Sequence, residues 1–429
     1  MKIPPVKGTR DFYPPAMAIR NWLIDGWKAV SLRNGFEEYD GPIFEYLKMF
    51  QIKSGDEIAS QLFSLTDRGG RDLAIRPEIT PTLARMVNQQ INSLPRPIKW
   101  FSVPRLCRAE RPQKGRLREF FQWNIDIIGV DDVLADAEVI FTTVDYLGSV
   151  GLKPADIKVK ISSRKLLASS LTNIGVSENQ LDSLYALLDK YHKIPNDKFE
   201  DILSEQISDS SIAGKIIDLM NTTAISQVAE IVGTNAEVEE AIQELSRLQQ
   251  ILQQMGVWQY CDFYPSIVRG LAYYTGIVFE VHELAGDLRA ICGGGRYDDL
   301  LKQFGGPKIP ATGMGMGDCV LEILLQEKGL LPEDLSNRKI DFFVASVDEH
   351  FMPNVIEITA KLRRSAVSAN FSYKPTSLSK QLKQASLQNA QKCIIIGQEF
   401  NNNELVIKDM TTGKQELIKR DKFFAQLKL

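Results

Sequence analysis

Apolar positions at helical spacing open the chain. Ile19, Trp22, Leu23, Trp27 and Val30 recur every three or four residues between Ala16 and Arg33, which predicts an amphipathic helix closed by Gly35. Phe36 to Glu45 then reads as a strand interrupted by Gly41-Pro42. Between Gln61 and Gly129 the pattern becomes largely β. Leu62-Phe63-Ser64-Leu65 and Leu73-Ala74-Ile75-Arg76 flank an Asp67-Arg68-Gly69-Gly70 turn. Two longer extended runs, 98–110 and 118–129, flank the polar loop Arg111–Arg116, the signature of a hairpin in an antiparallel sheet.

Residues 154–255 lose this alternation. Leu181, Leu184, Leu187 and Leu188, then Ile242, Leu245 and Leu248, stand at helical spacing and predict a largely helical insertion. Strand signals return over 259–300, with Ile277–Val281 as the clearest run and Gly293-Gly294-Gly295 read as a turn; a helix follows at about 318–328. After the linker Gly329–Asp334, apolar strands at 342–345 and 393–396 alternate with helical stretches near 353–364 and 377–388. Such alternation predicts a small α/β domain. The expected architecture is therefore α+β. A domain over 1–329 is built on an antiparallel sheet with a helical insertion at about 154–255, and a smaller α/β domain covers 330–429.

Composition narrows the function classes. The 429 residues are 44% hydrophobic and 24% charged, ordinary values for a globular protein. No apolar run approaches the ~18 residues of a membrane helix, and the opening Met1–Lys7 has no apolar core of a secretory signal. The five cysteines (107, 261, 292, 319, 393) are scattered and odd in number, which argues against a zinc site or disulfide framework and for a reducing cytoplasm. Three isolated histidines (192, 282, 350) supply few parts for a histidine-based metal site or triad. Net charge is −3, yet residues 338–429 carry fifteen Lys and Arg against nine Asp and Glu, so the terminal ninety-two residues stand at +6 and the rest at −9. A basic end on an acidic body suggests a nucleic-acid contact there, against the plainer reading of a well-solvated surface.

Candidate chemistry gathers on the hairpin. Along 118–129, Phe121, Trp123, Ile125 and Ile127 form one face of the strand, a core face, while Phe120, Gln122, Asn124 and Asp126 form the other. Arg108 and Glu110 share a face of the first arm. A covered surface of this composition needs polar partners, so a site for a polar, charged ligand is favoured over pure packing. Glu78 and Thr80 lie on one side of a segment read as extended and are placed to hold an ammonium group. Arg269-Gly270-Leu271-Ala272-Tyr273-Tyr274 sets a cation and two phenols beside glycines, and Arg296 follows the glycine run. Several arginines suit a phosphate-rich ligand.

On these residues the chain resembles the histidyl-tRNA synthetase family of class II aminoacyl-tRNA synthetases. The likeness runs from Lys7-Gly8-Thr9-Arg10-Asp11-Phe12-Tyr13-Pro14, through a helix and strand ending at Pro42 (class motif 1, the dimer interface) and Arg108–Gln122 (motif 2). It continues in Arg269–Gly276 and Gly293–Asp298 (two signatures of the histidine enzyme) to a terminal unit similar to an anticodon-binding domain.

The resemblance implies a cytoplasmic homodimer that joins L-histidine to tRNA(His) through a histidyl-adenylate, with ATP as substrate accompanied by Mg²⁺ and no prosthetic group. It assigns Glu78, Thr80, Gln122 and Asp126 to the ammonium end of histidine, and Tyr273 and Tyr274 to the imidazole. It places Arg108 between carboxylate and α-phosphate, Glu110 and Phe120 at adenine, Arg116 toward the phosphates and Arg269 at the α-phosphate. Two positions depart from the family pattern: Ala272 stands where Asp is usual, and Cys319 where motif 3 ends in an Arg over ATP. Either another cation, with Arg296 the candidate, replaces that charge, or ATP binds differently. Two other readings stay open: a non-catalytic paralogue serving as regulatory subunit of ATP phosphoribosyltransferase, and an RNA-binding module without ligase activity.

Overall fold

The computed structural model describes residues 3–52, 62–191, 193–267, 274–286, 288–336 and 339–427. The chain falls into two units, one of residues up to Phe12 with Arg20–Leu331, the other of Tyr13–Ile19 with the residues from Pro332 on.

The first unit is organised by a sheet of nine strands: β1 (Glu37–Glu38), β5 (Ile98–Ser102), β6 (Arg105–Cys107), β7 (Glu119–Ile128), β8 (Ile157–Ser163), β9 (Cys261–Phe263), β10 (Ile277–Glu283), β11 (Cys292–Arg296) and β12 (Ala311–Gly317). Their order is β1-β5-β7-β12-β11-β10-β8-β9, with β6 beside β7; β1/β5 and β8/β9 are parallel and the rest antiparallel. A separate small sheet pairs β2 (Phe44–Tyr46) and β3 (Phe63–Thr66) on either side of β4 (Asp72–Ile75).

Helix α1 (Pro14–Arg33) forms where the 3.6-residue pattern predicts it, and it buries Leu23, Trp27 and Val30. Trp27 stacks on Trp123 of β7 at 6.3 Å between ring centroids, and Tyr146 of α4 (Val133–Ser149) meets Trp123 edge-on at 5.4 Å. Within this aromatic cluster Trp123 Nε1 donates to Ser31 Oγ at 2.8 Å. Asp132 caps α4 by accepting the Leu134 N–H. The core face expected for residues 118–129 is the face that meets these helices: Phe121, Trp123, Ile125 and Ile127 are all buried.

Three expectations change. A helix over 47–52 (α2) is followed by α3 (Thr80–Gln89), inside the stretch read as largely β, so Thr80 starts a helix rather than continuing an extended segment. Pro81 in its first turn is compatible with that start, since the missing N–H would have no partner inside the helix. The helical insertion does not begin near 154, because 157–163 is β8, paired along its whole length with β10. Its helices are α5 (Arg164–Asn173), α6 (Glu178–Leu188), α7 (Asn196–Gln206), α8 (Ser210–Asn221), α9 (Val228–Val232) and α10 (Ala236–Gln254), with Ser163, Asp209 and Asn235 as side-chain caps. Finally, Gly293-Gly294-Gly295 is not a turn. It is the middle of β11, in register between β10 and β12.

The helix expected at 318–328 is α12 (Asp318–Glu327), after the four-residue α11 (Leu300–Gln303). In the second unit, β13 (Ile340–Ser346), β14 (Ala369–Phe371) and β15 (Ala390–Ile396) are parallel in the order β14-β13-β15, and β16 (Glu404–Asp409) and β17 (Gln415–Lys419) extend the sheet antiparallel. Val355, Ile358 and Leu362 of α13 (Met352–Arg364) pack into one apolar cluster and Ala385 of α14 (Leu378–Leu387) into another, so the sheet is covered on both faces, as in an α/β domain.

Residues directly opposite in antiparallel strands share a face. Asp126, Asn124 and Gln122 of β7 lie opposite Gly313, Gly315 and Gly317 of β12, and Gly313 and Gly315 lie opposite Gly295 and Gly293 of β11. Five glycines thus leave this face bare in the middle of the sheet. A Cβ at Gly313 would fall 2.2 Å from Asp126 Oδ1 and 2.7 Å from the Ile125 carbonyl oxygen, whereas one at Gly317 meets nothing within 4 Å. Gly313→Ala should therefore destabilise the fold by about 1–3 kcal/mol, as overpacking does, and Gly317→Ala by less than about 0.5 kcal/mol. Urea unfolding midpoints of the two variants check this, and equal midpoints would contradict the register.

Candidate active site

The bare strip is the floor of a cleft of about 230 Å³. Five residues singled out from the sequence line it: Arg108, Glu110, Arg116, Phe120 and Gln122, with Gly293, Gly315 and Gly317 beneath them. The hairpin brings them together because the Arg108 N–H donates to the Arg118 carbonyl and Gln113 bridges Arg116, which folds the polar loop back over the sheet. The N-terminal segment holds this loop at its base. Arg118 N–H donates to the Gly8 carbonyl at 2.8 Å, and Arg10 pairs with Asp318 at 2.5 Å at the start of α12.

Guanidinium groups dominate the cleft. Arg108 donates from Nε to the Pro77 carbonyl at 3.1 Å and lies over the Phe120 ring, 5.1 Å from its centroid. Arg116 pairs with Glu110, yet its pKa is pushed down, first by desolvation and then by the nearby charges of Arg289 and Arg108. Crowding like charges on one another costs free energy that a polyanionic ligand would recover. Arg289 also lines the cleft and was missed in the sequence. Its only sequence signal is a cation four residues ahead of Gly293, on a segment with no periodic pattern.

Asp126, two register steps along β7 from Gln122, is buried and accepts a hydrogen bond from the Tyr297 hydroxyl. Tyr274 sits in a buried cluster with Tyr39, Ile79, Val278 and Tyr297. Tyr39 was read only as part of an aromatic stripe. Its buried hydroxyl has no hydrogen-bond partner among the described residues, and its pKa is raised by burial first and then by Asp126. Glu78 and Thr80 are half-buried. The Pro77 contact of Arg108 brings their segment beside the cleft. Arg269, Ala272 and Tyr273 lie outside the described residues.

The sequence model of the histidyl-tRNA synthetase family matches residues 8–317, and that of an anticodon-binding domain matches 341–428. The chloroplastic/mitochondrial histidine–tRNA ligase of Arabidopsis thaliana is 39% identical over 417 residues, 97% of this chain and 85% of that protein. The chain belongs to the histidyl-tRNA synthetase family. Among solved structures, histidyl-tRNA synthetase from Nostoc superposes with a TM-score of 0.81 at 24% identity, covering 100% of this chain and 99% of that one. A Bacillus halodurans protein described as an ATP phosphoribosyltransferase regulatory subunit/histidyl-tRNA synthetase gives 0.75 at 23%, over 92% and 99%. At these identities the superpositions speak for the fold.

Within this family the missing motif 3 cation becomes a structural question. Cys319 lies at the rim of the cleft with Val320, buried, its thiol pushed well up by burial and by Asp318, so it contributes no charge. Arg296 does not replace it. Alternation along β11 puts Arg296 on the opposite face of the sheet from Gly293 and Gly295. There it is 4% exposed, bonded to Asp136 of α4 at 2.5 Å and to the carbonyls of Val130 and Asp132. Burial lifts the Asp136 pKa to about 6, and Arg296 opposes that rise. Among the described residues, no group of three or more His, Cys, Asp or Glu that could hold a metal occurs, and the carboxylate that lines the cleft, Glu110, is paired with Arg116.

Arg296→Met would strand a buried carboxylate, which costs about 3–5 kcal/mol. A fall of several degrees in melting temperature is expected, partly recovered in Arg296→Met/Asp136→Leu, with ATP affinity of the folded fraction unchanged. Weakened ATP binding at an unchanged melting temperature would instead return Arg296 to the nucleotide.

Proposed function

We propose that the protein ligates L-histidine to tRNA(His) in two steps, with Mg·ATP as substrate. The observation that carries this reading is the cleft itself: clustered guanidinium groups above a glycine-rich floor edged by Gln122, in a chain of this family.

In the first step a carboxylate oxygen of histidine attacks the α-phosphorus of ATP. The bond to the bridging oxygen breaks and pyrophosphate leaves with its electron pair. Both reactants are anionic, so aligning and neutralising them supplies much of the rate. Arg108 spans the carboxylate and the α-phosphate, and Arg269 adds a second cation at that phosphate. Phe120 and Glu110 take adenine, and Arg116 the phosphates. Glu78, Thr80, Gln122 and Asp126 bind the ammonium group, and Tyr273 and Tyr274 flank the imidazole. In the second step a hydroxyl of the terminal tRNA ribose attacks the acyl carbon and AMP departs. The basic residues 338–429 read the anticodon. A site that pairs polar atoms with imidazole rejects apolar amino acids by leaving those atoms unsatisfied.

Purified protein should exchange pyrophosphate into ATP only when histidine is present, and should charge tRNA(His). Gln122→Ala should raise KM for histidine about 10–100-fold, the range for losing a hydrogen bond to a charged group. Arg108→Ala should lower kcat by about 10²–10³, as loss of a preorganised donor does. Absence of exchange, with tRNA binding retained or a phosphoribosyltransferase activated, would favour the regulatory or RNA-binding alternatives.

The working protein is a homodimer in this reading. Ile43, Phe44 and Tyr46, next to Pro42, leave more than half of their surface exposed, an apolar patch that a second copy covers. Sedimentation should give twice the chain mass, and a monomer at micromolar concentration would refute it.

A further inference from the structure

The cleft lacks a cation at the tip of α12, where Cys319 and Val320 offer a neutral thiol and an isopropyl group. A cation that lines the cleft together with them is Arg289, on the segment that leads into β11. Three observations single it out. It lines the same cleft as Cys319 and Val320. It is near enough to Arg116 to push that group's pKa down. And it is exposed and forms no ion pair among the described residues, whereas Arg116 is held by Glu110 and Arg108 by the Pro77 carbonyl and the Phe120 ring. Arg296 is engaged on the other face of the sheet.

We propose that Arg289 binds the terminal phosphates of ATP and so replaces, from the segment that leads into β11, the charge that motif 3 lacks in this chain. The inference rests on the histidine-activating reading given above and deepens it. A guanidinium presents two parallel N–H donors that match a phosphate. Placed at the end of the cleft, it holds charge that grows on pyrophosphate as the bond to the α-phosphorus breaks. Because it stands on the rim, it reaches the nucleotide without the desolvation cost a buried arginine would carry.

Histidine-dependent ATP–pyrophosphate exchange tests this with the full-length protein. Arg289→Gln should raise KM for ATP about tenfold or more, the scale of one charge-assisted contact, and raise KM for pyrophosphate in parallel, while KM for histidine stays within about twofold. Arg289→Lys, which keeps the charge but loses the paired donors, should fall between the two. An unchanged KM for ATP in Arg289→Gln overturns the assignment. So does a rise for ATP with no rise for pyrophosphate, which would place the contact at adenine. Unaltered protein that exchanges nothing fails the activity reading itself, an outcome distinct from either.

Discussion

The first unit is arranged around a strip of β11 and β12 that carries no side chains of its own. β11 and β12 place glycines opposite one another on the same face, and β7 places Gln122, Asn124 and Asp126 along the edge of that strip. Glycine in a central strand normally weakens a sheet, because it loses entropy and packs nothing. Here the spacing leaves no choice at Gly313, whose missing Cβ is the room Asp126 occupies. A Cβ at Gly294, on the reverse face, would fall 2.2 Å from the Gly313 carbonyl oxygen, so both strands are tied to this composition. The sheet is kept together by what lies behind it, with Trp123, Ile125 and Ile127 packed against helices.

The two faces also divide the charges. Behind the sheet, Arg296 and Asp136 form a buried pair whose remaining donors go to backbone carbonyls, the condition under which a buried ion pair is tolerated. In front, Arg108, Arg116 and Arg289 line the cleft, and Glu110 is the carboxylate among its described lining residues. One face is closed around its ion pair and the other presents its cations to a cleft. A ligand carrying several negative charges resolves the imbalance, and the carboxylate of an amino acid enters as part of that balance.

The overall plan was legible because the periods are clear. The first helix, the long hairpin and the terminal α/β unit all follow from spacing and turn residues. The failures share a cause: tertiary context overrode a local signal. Three successive glycines read as a turn, since nothing in them says that neighbouring strands need their absence of side chains. Ile157–Ser163 does alternate, with Ile157, Val159 and Ile161 buried between Lys158 and Lys160, but so short a run of period two at the edge of a long helical stretch was absorbed into it. Thr80 looked extended because Pro77 and Pro81 suggest a non-helical segment, although proline in a first turn is compatible with a helix. In the site, the residues on β7 were legible by alternation. Arg289 was not, lying in a segment without a period, and Arg296 was misplaced by the turn reading, which hides on which face it emerges.

The loop that carries Arg108, Glu110 and Arg116 is itself anchored from a distance in sequence. Gly8 receives the Arg118 N–H, Arg10 reaches Asp318, and the second oxygen of Asp318 accepts the Phe121 N–H at the start of β7. One buried carboxylate therefore joins the N-terminal segment, the motif 2 strand and the tip of α12. Three parts of the cleft wall are fixed to one another before any ligand arrives. Catalysis by alignment depends on such fixed relations, because each displacement of a few tenths of an ångström must otherwise be corrected with binding energy. The opening residues thus bear on the arginines by holding the loop that carries them.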